Sequence, residues 1–297
     1  MRPFDLVFAS SEEEILRFLG EGTRLIAGGT DLIPFMRAGR LAPQVLVDIG
    51  RIPSLRGIWR EDGWLRVGAA TTHAELVRSP LVREMVPMLA EAAGHIGSQQ
   101  VRNRGTIGGN ICTASPAADT VPPLLALGAM VRVVSRKGER RLPLEAFLHG
   151  PGQTALQPDE YLADVWIPLP SRRPAQAFLK IGQRNAMAIS LVNGAVALSL
   201  RDGVIDHVAL ALGAVAPTVV RCRATEAMLC GRQLQPALLS EAAEAVRQSI
   251  RPISDVRGSC AYREYLAVVV ARRLLEQAVR QASANQALTN QAMEVAP

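Results

Sequence analysis

Two glycine pairs constrain this chain more than any other feature. The first, in Ala27-Gly28-Gly29-Thr30-Asp31, leaves the apolar run Leu25-Ile26-Ala27 and enters a stretch where Leu32, Phe35 and Met36 recur at helical spacing. Pro34 is tolerated there because a first helical turn needs no N–H from it. Val45 to Ile49 reads as a second strand, so a strand–loop–helix–strand unit ends near Gly57. The second pair lies in Gly105-Thr106-Ile107-Gly108-Gly109-Asn110, followed by Ala114-Ser115-Pro116-Ala117-Ala118-Asp119. Without Cβ atoms such a backbone can adopt positive φ, approach another group closely and turn several N–H groups one way.

The rest of the chain arranges itself around these pairs. Ser10 and Ser11 before Glu13 and Glu14 form a capping-box start for a short helix to Gly20. Trp64 to Ala70 is strand-like, Thr72 with Glu75 caps a helix, and a further helix behind Pro80 carries Val82, Met85, Met88 and Leu89 to Gly94. From His95 to Ala129 periodicity is weak and small residues abound, which reads as a long functional loop. Met130 to Ser135 and Glu160 to Pro168 resume strand patterns. Pro168 to Pro174, rich in proline and charge, reads as a boundary. Beyond it come strands at Ala177 to Ile181, Ile189 to Arg201 and Val204 to Val215, with Asp202-Gly203 as a hairpin turn. Helices follow at Thr225 to Leu229, Pro236 to Ile250 and Tyr262 to Ala282. The expected division is 1–170, with lobes of about 1–57 and 58–170, then 171–282 and a flexible tail at 283–297.

Composition excludes several classes. The 297 residues are 48% hydrophobic, too apolar for disorder and long enough for two cores. The four cysteines at 112, 222, 230 and 260 form no CxxC pair, which argues against disulfide scaffolds and zinc sites; Cys112 and Cys230 are expected to be packed. His73, behind the Thr72 cap, and the other three histidines are scattered, so no metal site is expected. No apolar run reaches a membrane-spanning length, and the N-terminus lacks a signal-peptide pattern, which gives a cytoplasmic expectation. The net charge of +6 comes from 33 basic residues, of which Lys137 and Lys180 are the only lysines. They are dispersed, and 4% aromatic content is too little for base stacking, so no nucleic-acid partner is expected.

The chemistry that double-glycine turns serve is anion binding. Backbone N–H groups and a following helix start favour a phosphate, and Thr30, Thr106 and Asn110 can add donors. Neither segment is a P-loop or a GxGxxG motif. Either could instead be a tight turn or a packing contact, but two in one domain favour a dinucleotide with a pyrophosphate. Asp119 suits a ribose hydroxyl or a helix cap.

Ile26 to Pro34 closely resembles the first FAD-binding motif of the molybdenum hydroxylase flavoproteins, and Gly105 to Asn110 with Ser115 to Asp119 resembles the second. Phe178-Leu179-Lys180 with Arg184, and Asp255 to Ser259 followed by Tyr262-Arg263, resemble that family's C-terminal signatures. The likeness covers about residues 1 to 280 and includes carbon monoxide dehydrogenase medium subunits and xanthine dehydrogenase flavin domains. It implies an α+β fold: a two-lobed FAD-binding domain of the PCMH/vanillyl-alcohol-oxidase type, then a smaller domain of antiparallel sheet plus helices. It implies non-covalent FAD held by Leu25, Ile26, Ala27, Gly28, Gly29, Thr30, Asp31 and Leu32 from one side and Thr106, Ile107, Gly108, Gly109 and Asn110 from the other. Ile96, Gly97 and Val101 match positions along the cofactor's path. Asp119 matches a contact to a ribose or adenine-side hydroxyl, Leu162 or Ala163 an adenine-side contact, and Lys180 a lysine reaching the flavin.

The chain has no iron–sulfur cysteine pattern and no room for a molybdopterin domain, so the resemblance implies a separate electron-transfer subunit. Its partners would be a large molybdenum-cofactor subunit and a small [2Fe-2S] subunit in a dimer of heterotrimers, with electrons passed to an external acceptor. Two other readings stand beside it: a self-contained FAD oxidase of the same broad fold, and a non-enzymatic basic binding module.

Overall fold

The computed structural model describes residues 1–294, with side chains through 286. At the N-terminus, β1 (Asp5–Phe8), β2 (Thr23–Ile26) and β3 (Val45–Asp48) form a parallel sheet in the order β1-β3-β2. Helices α1 (Glu12–Phe18) and α2 (Leu32–Arg37) make the crossovers. Ser11 caps α1 by accepting from the Glu14 N–H, while Glu14 accepts from the N–H and hydroxyl of Ser10. Strand β1 has no counterpart in the sequence reading. It is four residues long, with only Val7 better than exposed, so it carries no alternation to read.

The second lobe is built on an antiparallel sheet of β4 (Ile58–Glu61), β5 (Trp64–Gly68), β6 (Met130–Ser135), β7 (Gly138–Pro143) and β10 (Glu160–Pro168), in the order β4-β5-β10-β6-β7. Against it pack α3 (His73–Arg78), α4 (Pro80–Met85), α5 (Pro87–Gly94), α6 (Gln99–Arg104), α7 (Ile107–Thr113), α8 (Val121–Ala126) and α9 (Leu144–Phe147). A small hairpin of β8 (Leu148–Gly150) and β9 (Gln153–Thr154) precedes β10.

Three corrections to the sequence reading fall here. The helix behind Pro80 is two helices, because Pro87 cannot donate an N–H and restarts the spiral at Val86. The expected long loop from His95 to Ala129 holds α6, α7 and α8, each six or seven residues long and too short to show a period. Of the cysteines, Cys222 is buried and Cys112 half-buried, whereas Cys230, expected to be packed, is exposed.

Beyond the proline-rich link, β11 (Ala175–Ile181), β12 (Val192–Arg201), β13 (Val204–Gly213) and β14 (Val220–Arg221) form an antiparallel sheet in sequence order. Its two faces divide by strict alternation. Ala195 and Ala197 of β12 join the second lobe's core beside Leu124 and Leu125 of α8, while Val196 and Leu198 face a separate core with Leu274 and Leu275. Small residues on the first face let α8 approach the backbone closely. The second face is covered by α10 (Arg223–Leu229), α11 (Pro236–Ala245) and α12 (Cys260–Glu294). Helix α12 runs to Glu294 rather than ending at Ala282; residues 295–297 of the expected tail lie outside the described residues. Among the described residues no helix is long and apolar enough to cross a membrane.

Candidate functional site

The two glycine motifs meet at the junction of the lobes, in the turn after β2 and the first turn of α7. Gly28 is the closest point. A Cβ there would stand 2.1 Å from the Arg104 carbonyl oxygen and 2.9 Å from Gly105 Cα, so backbone packs directly on backbone. Gly108 does the same against the residue that follows β5, where a Cβ would meet Ala69 Cβ at 2.5 Å and Ala69 O at 2.7 Å. Gly29 alone of the four paired glycines takes positive φ, at +72°.

The motifs differ in what they offer a ligand. In the second, the N–H of Ile107 donates to Thr71 O, Gly108 to Ala69 O, Gly109 to Thr106 Oγ1 at 3.1 Å, and Asn110 to Thr106 O. That helix start is satisfied from within, which corrects the expectation that both loops turn free N–H groups toward an anion. In the first motif, no hydrogen bond among the described residues takes up the N–H groups of Gly28, Gly29, Thr30 and Asp31. Four successive open donors with a left-handed Gly29 make an anion nest. Asp31 Oδ2 accepts from Thr113 Oγ1 at 3.0 Å and ties the nest to α7. Thr120 donates to Asn110 Oδ1 at 2.6 Å, which leaves the Asn110 amide NH2 for the cavity.

Around this junction run two cavities, of about 620 Å³ and 580 Å³, that share Arg24, Leu25, Ala27, Gly109 and Cys112 as a common waist. The smaller one is lined by Leu25 through Leu32, Ile96, Val101, Thr106, Gly109 and Asn110. The larger one reaches Gly108, Thr154, Leu156, Tyr161 and Leu162. The cleft is therefore long and rich in donors where the nest opens, with Ile96 and Val101 toward one end and Leu156, Tyr161 and Leu162 beside Glu21 and Glu160 toward the other. Arg24 and Arg40 add positive charge to its wall.

Five expected site residues do not line this cleft. Ile107 and Ala163 are wholly buried in the core. Gly97 sits behind Val101 at φ +45°, its carbonyl and that of Ile96 held by the Arg102 guanidinium at 3.2 and 3.0 Å. Asp119 and Lys180 bind each other: Lys180 Nζ lies 2.6 Å from Asp119 Oδ2, with both side chains 8% exposed. Asp119 Oδ1 also accepts from Ser190 Oγ and Asn193 Nδ2, and Lys180 donates to His95 O. The pair latches strands β11 and β12 onto the turn before α8. Lys180 also borders a separate 320 Å³ cavity with His95, Arg184 and Met187. Lys180→Met would strand a buried carboxylate, so a loss of about 3–5 kcal/mol is expected in urea denaturation, partly recovered by adding Asp119→Leu. A loss under about 1 kcal/mol would mean the pair is screened by water.

The C-terminal signature is likewise structural. Asp255 accepts from both Arg257 and Arg263, and the Arg257 guanidinium, then Arg263, holds its carboxyl far below the usual range. Arg263, 2% exposed, donates onward to Leu191 O and Ala214 O and so fixes the start of β12.

Several cleft residues carried no sequence signal: Arg24, Arg40, Cys112, Thr113, Tyr161 and the ring of His73. Burial pushes the Cys112 thiol up to about 12, so it stays protonated and unreactive. Tyr161 donates to Glu12 and joins the lobes at the far end. Burial, with Arg102 nearby, pushes His73 down from 6.5 to about 4. A falling pH then protonates the unfolded chain first. The stability conferred by the neutral ring is complete above pH 6.5 and lost between 6.5 and 4, by about 3 kcal/mol at most. The stability gap between wild type and His73→Phe should narrow by that amount across this window; a constant gap would refute it. Among the described residues no cluster of His, Cys, Asp or Glu could hold a metal ion.

Comparison with known proteins follows the same division. Residues 2–170 match the family described as the FAD binding domain in molybdopterin dehydrogenase, and residues 177–278 match the CO dehydrogenase flavoprotein C-terminal domain. The nicotine 6-hydroxylase medium subunit of Paenarthrobacter nicotinovorans is 36% identical, over 87% of this chain and 90% of that protein. The solved carbon monoxide dehydrogenase of Hydrogenophaga pseudoflava superposes with a TM-score of 0.90 at 33% identity, covering 94% of this chain and 99% of the matched one. Quinoline 2-oxidoreductase of Pseudomonas putida 86 gives 0.89 at 30% identity, covering 95% and 98%.

Proposed function

The chain belongs to the family of FAD-binding medium subunits of molybdenum hydroxylases, and from that premise we propose that it is the flavoprotein electron-transfer subunit of such a complex. One observation carries the reading. The anion nest at Gly28 to Asp31 opens into a two-ended cleft, which fits an extended ligand with charge near its middle and planar groups at both ends. FAD has that form, and it supplies exchange between two-electron and one-electron chemistry when bound.

The chain's own residues hold and shield it. The N–H groups of residues 28–31, Thr30 and the Asn110 amide receive the pyrophosphate, and Arg24 and Arg40 neutralise it. Leu25, Ile26, Leu32, Ile96 and Val101 exclude water along one arm, and Leu162 along the other. Gly108 lets helix α7 stand close to Ala69, just after β5, and Gly109 leaves the waist open. In this reading residues 1–170 hold the cofactor and 171–282 form a second domain latched onto them through Lys180 and Asp119; the proline-rich link, the separate core under α12 and the two family matches support that division. The partners are a large molybdenum-cofactor subunit and a small iron–sulfur subunit. We place the assembly as a dimer of heterotrimers in the cytoplasm, passing electrons to an external acceptor.

Gly109→Val tests the cleft. A Cβ at Gly109 meets no backbone atom and only Thr106 Oγ1, at 3.0 Å, so the cap hydroxyl has to give by a few tenths of an ångström while the main chain stays in place. A branched side chain there would nevertheless project into the waist. The variant should keep the wild-type circular dichroism and lose its flavin, read as the 450 nm region absorbance per protein. Stoichiometric flavin in a folded variant would move the cofactor out of this cleft.

A further inference from the structure

His73 enters the cleft with a property that no neighbour explains. It is the first residue of α3, placed by the Thr72 capping box, and its N–H donates to Gly105 O at 2.9 Å. Its ring is 2% exposed, and its Nδ1 has no hydrogen-bond partner among the described residues. The other edge of the ring faces the motifs. A Cβ on Gly105 would stand 3.2 Å from His73 Cδ2 and 3.2 Å from Thr30 Oγ1, so the Cδ2–Nε2 edge lies across Gly105 from the nest. His73, Thr30 and Gly105 line the same wall of the smaller cavity.

A neutral imidazole carries one proton, and its two nitrogens compete for it. A buried N–H with no acceptor is rarer and costlier than a buried unshared lone pair. The orphaned Nδ1 is therefore the unprotonated nitrogen, and the proton sits on Nε2, on the nest side. Burial and the Arg102 guanidinium keep the ring neutral, so it brings a donor without a second charge. We propose that His73, as its Nε2–H tautomer, is a cofactor-positioning residue that donates to a phosphate oxygen of the FAD pyrophosphate beside the Gly28–Asp31 nest. The inference rests on the FAD reading above. It adds a donor from α3 to a cradle otherwise built from the two glycine motifs, and it gives Gly105 a reason: any side chain there would wedge between the ring and Thr30.

The test uses the full chain freed of flavin, titrated calorimetrically with FAD and with ADP, which carries the same pyrophosphate and adenosine but no flavin ring. His73→Phe should weaken both ligands about tenfold, the value of one hydrogen bond to a charged group. His73→Gln, whose amide nitrogen reaches the place of Nε2, should restore most of that loss. Unchanged affinities in His73→Phe, or a loss for FAD without a loss for ADP, would overturn the assignment to the pyrophosphate. A glutamine variant as weak as phenylalanine would overturn the donor role. Should the variants fail to fold, nitrogen-15 spectra of the wild-type histidine side chains decide: a His73 ring protonated on Nδ1 overturns the tautomer. Wild type that binds no FAD would sink the cofactor reading itself, whereas wild type that binds it and is indifferent to residue 73 sinks only this inference.

Discussion

Gly28→Ala should deprive the chain of its flavin and cost about 3 kcal/mol or more of stability, from a single added methyl group. The reason is that the methyl would meet main chain on every side: Arg104 O at 2.1 Å, Arg104 C at 2.6 Å and Gly105 Cα at 2.9 Å. Side chains can rotate away from an intruder, but these atoms are fixed by their own bonds. Arg104 closes α6, and Gly105 donates to Val101 O and accepts from the His73 N–H. Overpacking a rigid contact typically costs about 1–3 kcal/mol, and a carbonyl this close places Gly28 at or beyond the upper end. The turn after β2 must then separate from α6, which opens the nest and moves it from the cleft. Calorimetric Tm and flavin content read the two effects. Gly94→Ala is the matched control, since a Cβ there meets only Val77 Cγ2 at 3.9 Å and should leave both readouts near wild type. A Gly28→Ala protein that keeps its flavin and its Tm would show that the two motifs can part without consequence.

That contrast also marks how far the sequence alone reaches. Elements announced by local chemistry were legible. The Thr72–Glu75 capping box is present with both of its hydrogen bonds, and the Asp202-Gly203 turn joins β12 to β13 with φ of +52° and +76°. The glycine pairs were legible as places of close approach, but not which surface each one approaches. Gly28 and Gly108 serve packing between elements, and the free donors belong to the first motif only, because Thr71, Ala69 and Thr106 satisfy the start of α7. Such partners are distant in sequence and leave no periodic trace. The same holds for Asp119 and Lys180. Each was read as a ligand contact on its own, and only the antiparallel register of β11 and β12 brings Lys180 and Asn193 side by side over Asp119. His73 was read through its cap; what sets its ring apart is an unpaired nitrogen, a property of the packed structure.

The division of labour between chains leads to the other large effect. The cleft provides a cofactor site, and titratable groups along its wall are tied up within the chain: Cys112 is protonated, Glu160 pairs with Arg140, Asp31 accepts from Thr113, and Tyr161 donates to Glu12. The four cysteines neither pair nor cluster, so this chain has no ligand set for an iron–sulfur cluster among the described residues. Expressed alone, it should be yellow and inert toward the organic substrate of its complex. Joined to its large and small partner chains, it should be reduced by that substrate within the turnover time of the enzyme. Electrons can arrive only if the flavin is held near a partner's cluster, which requires a specific, stable interface of ordinary size rather than a passing encounter. Anaerobic addition of substrate to the lone subunit and to the reconstituted complex, with the flavin absorbance followed in each, separates the cases. Bleaching confined to the complex is the expected result. Complete bleaching of the lone, metal-free subunit would make it a self-contained oxidase.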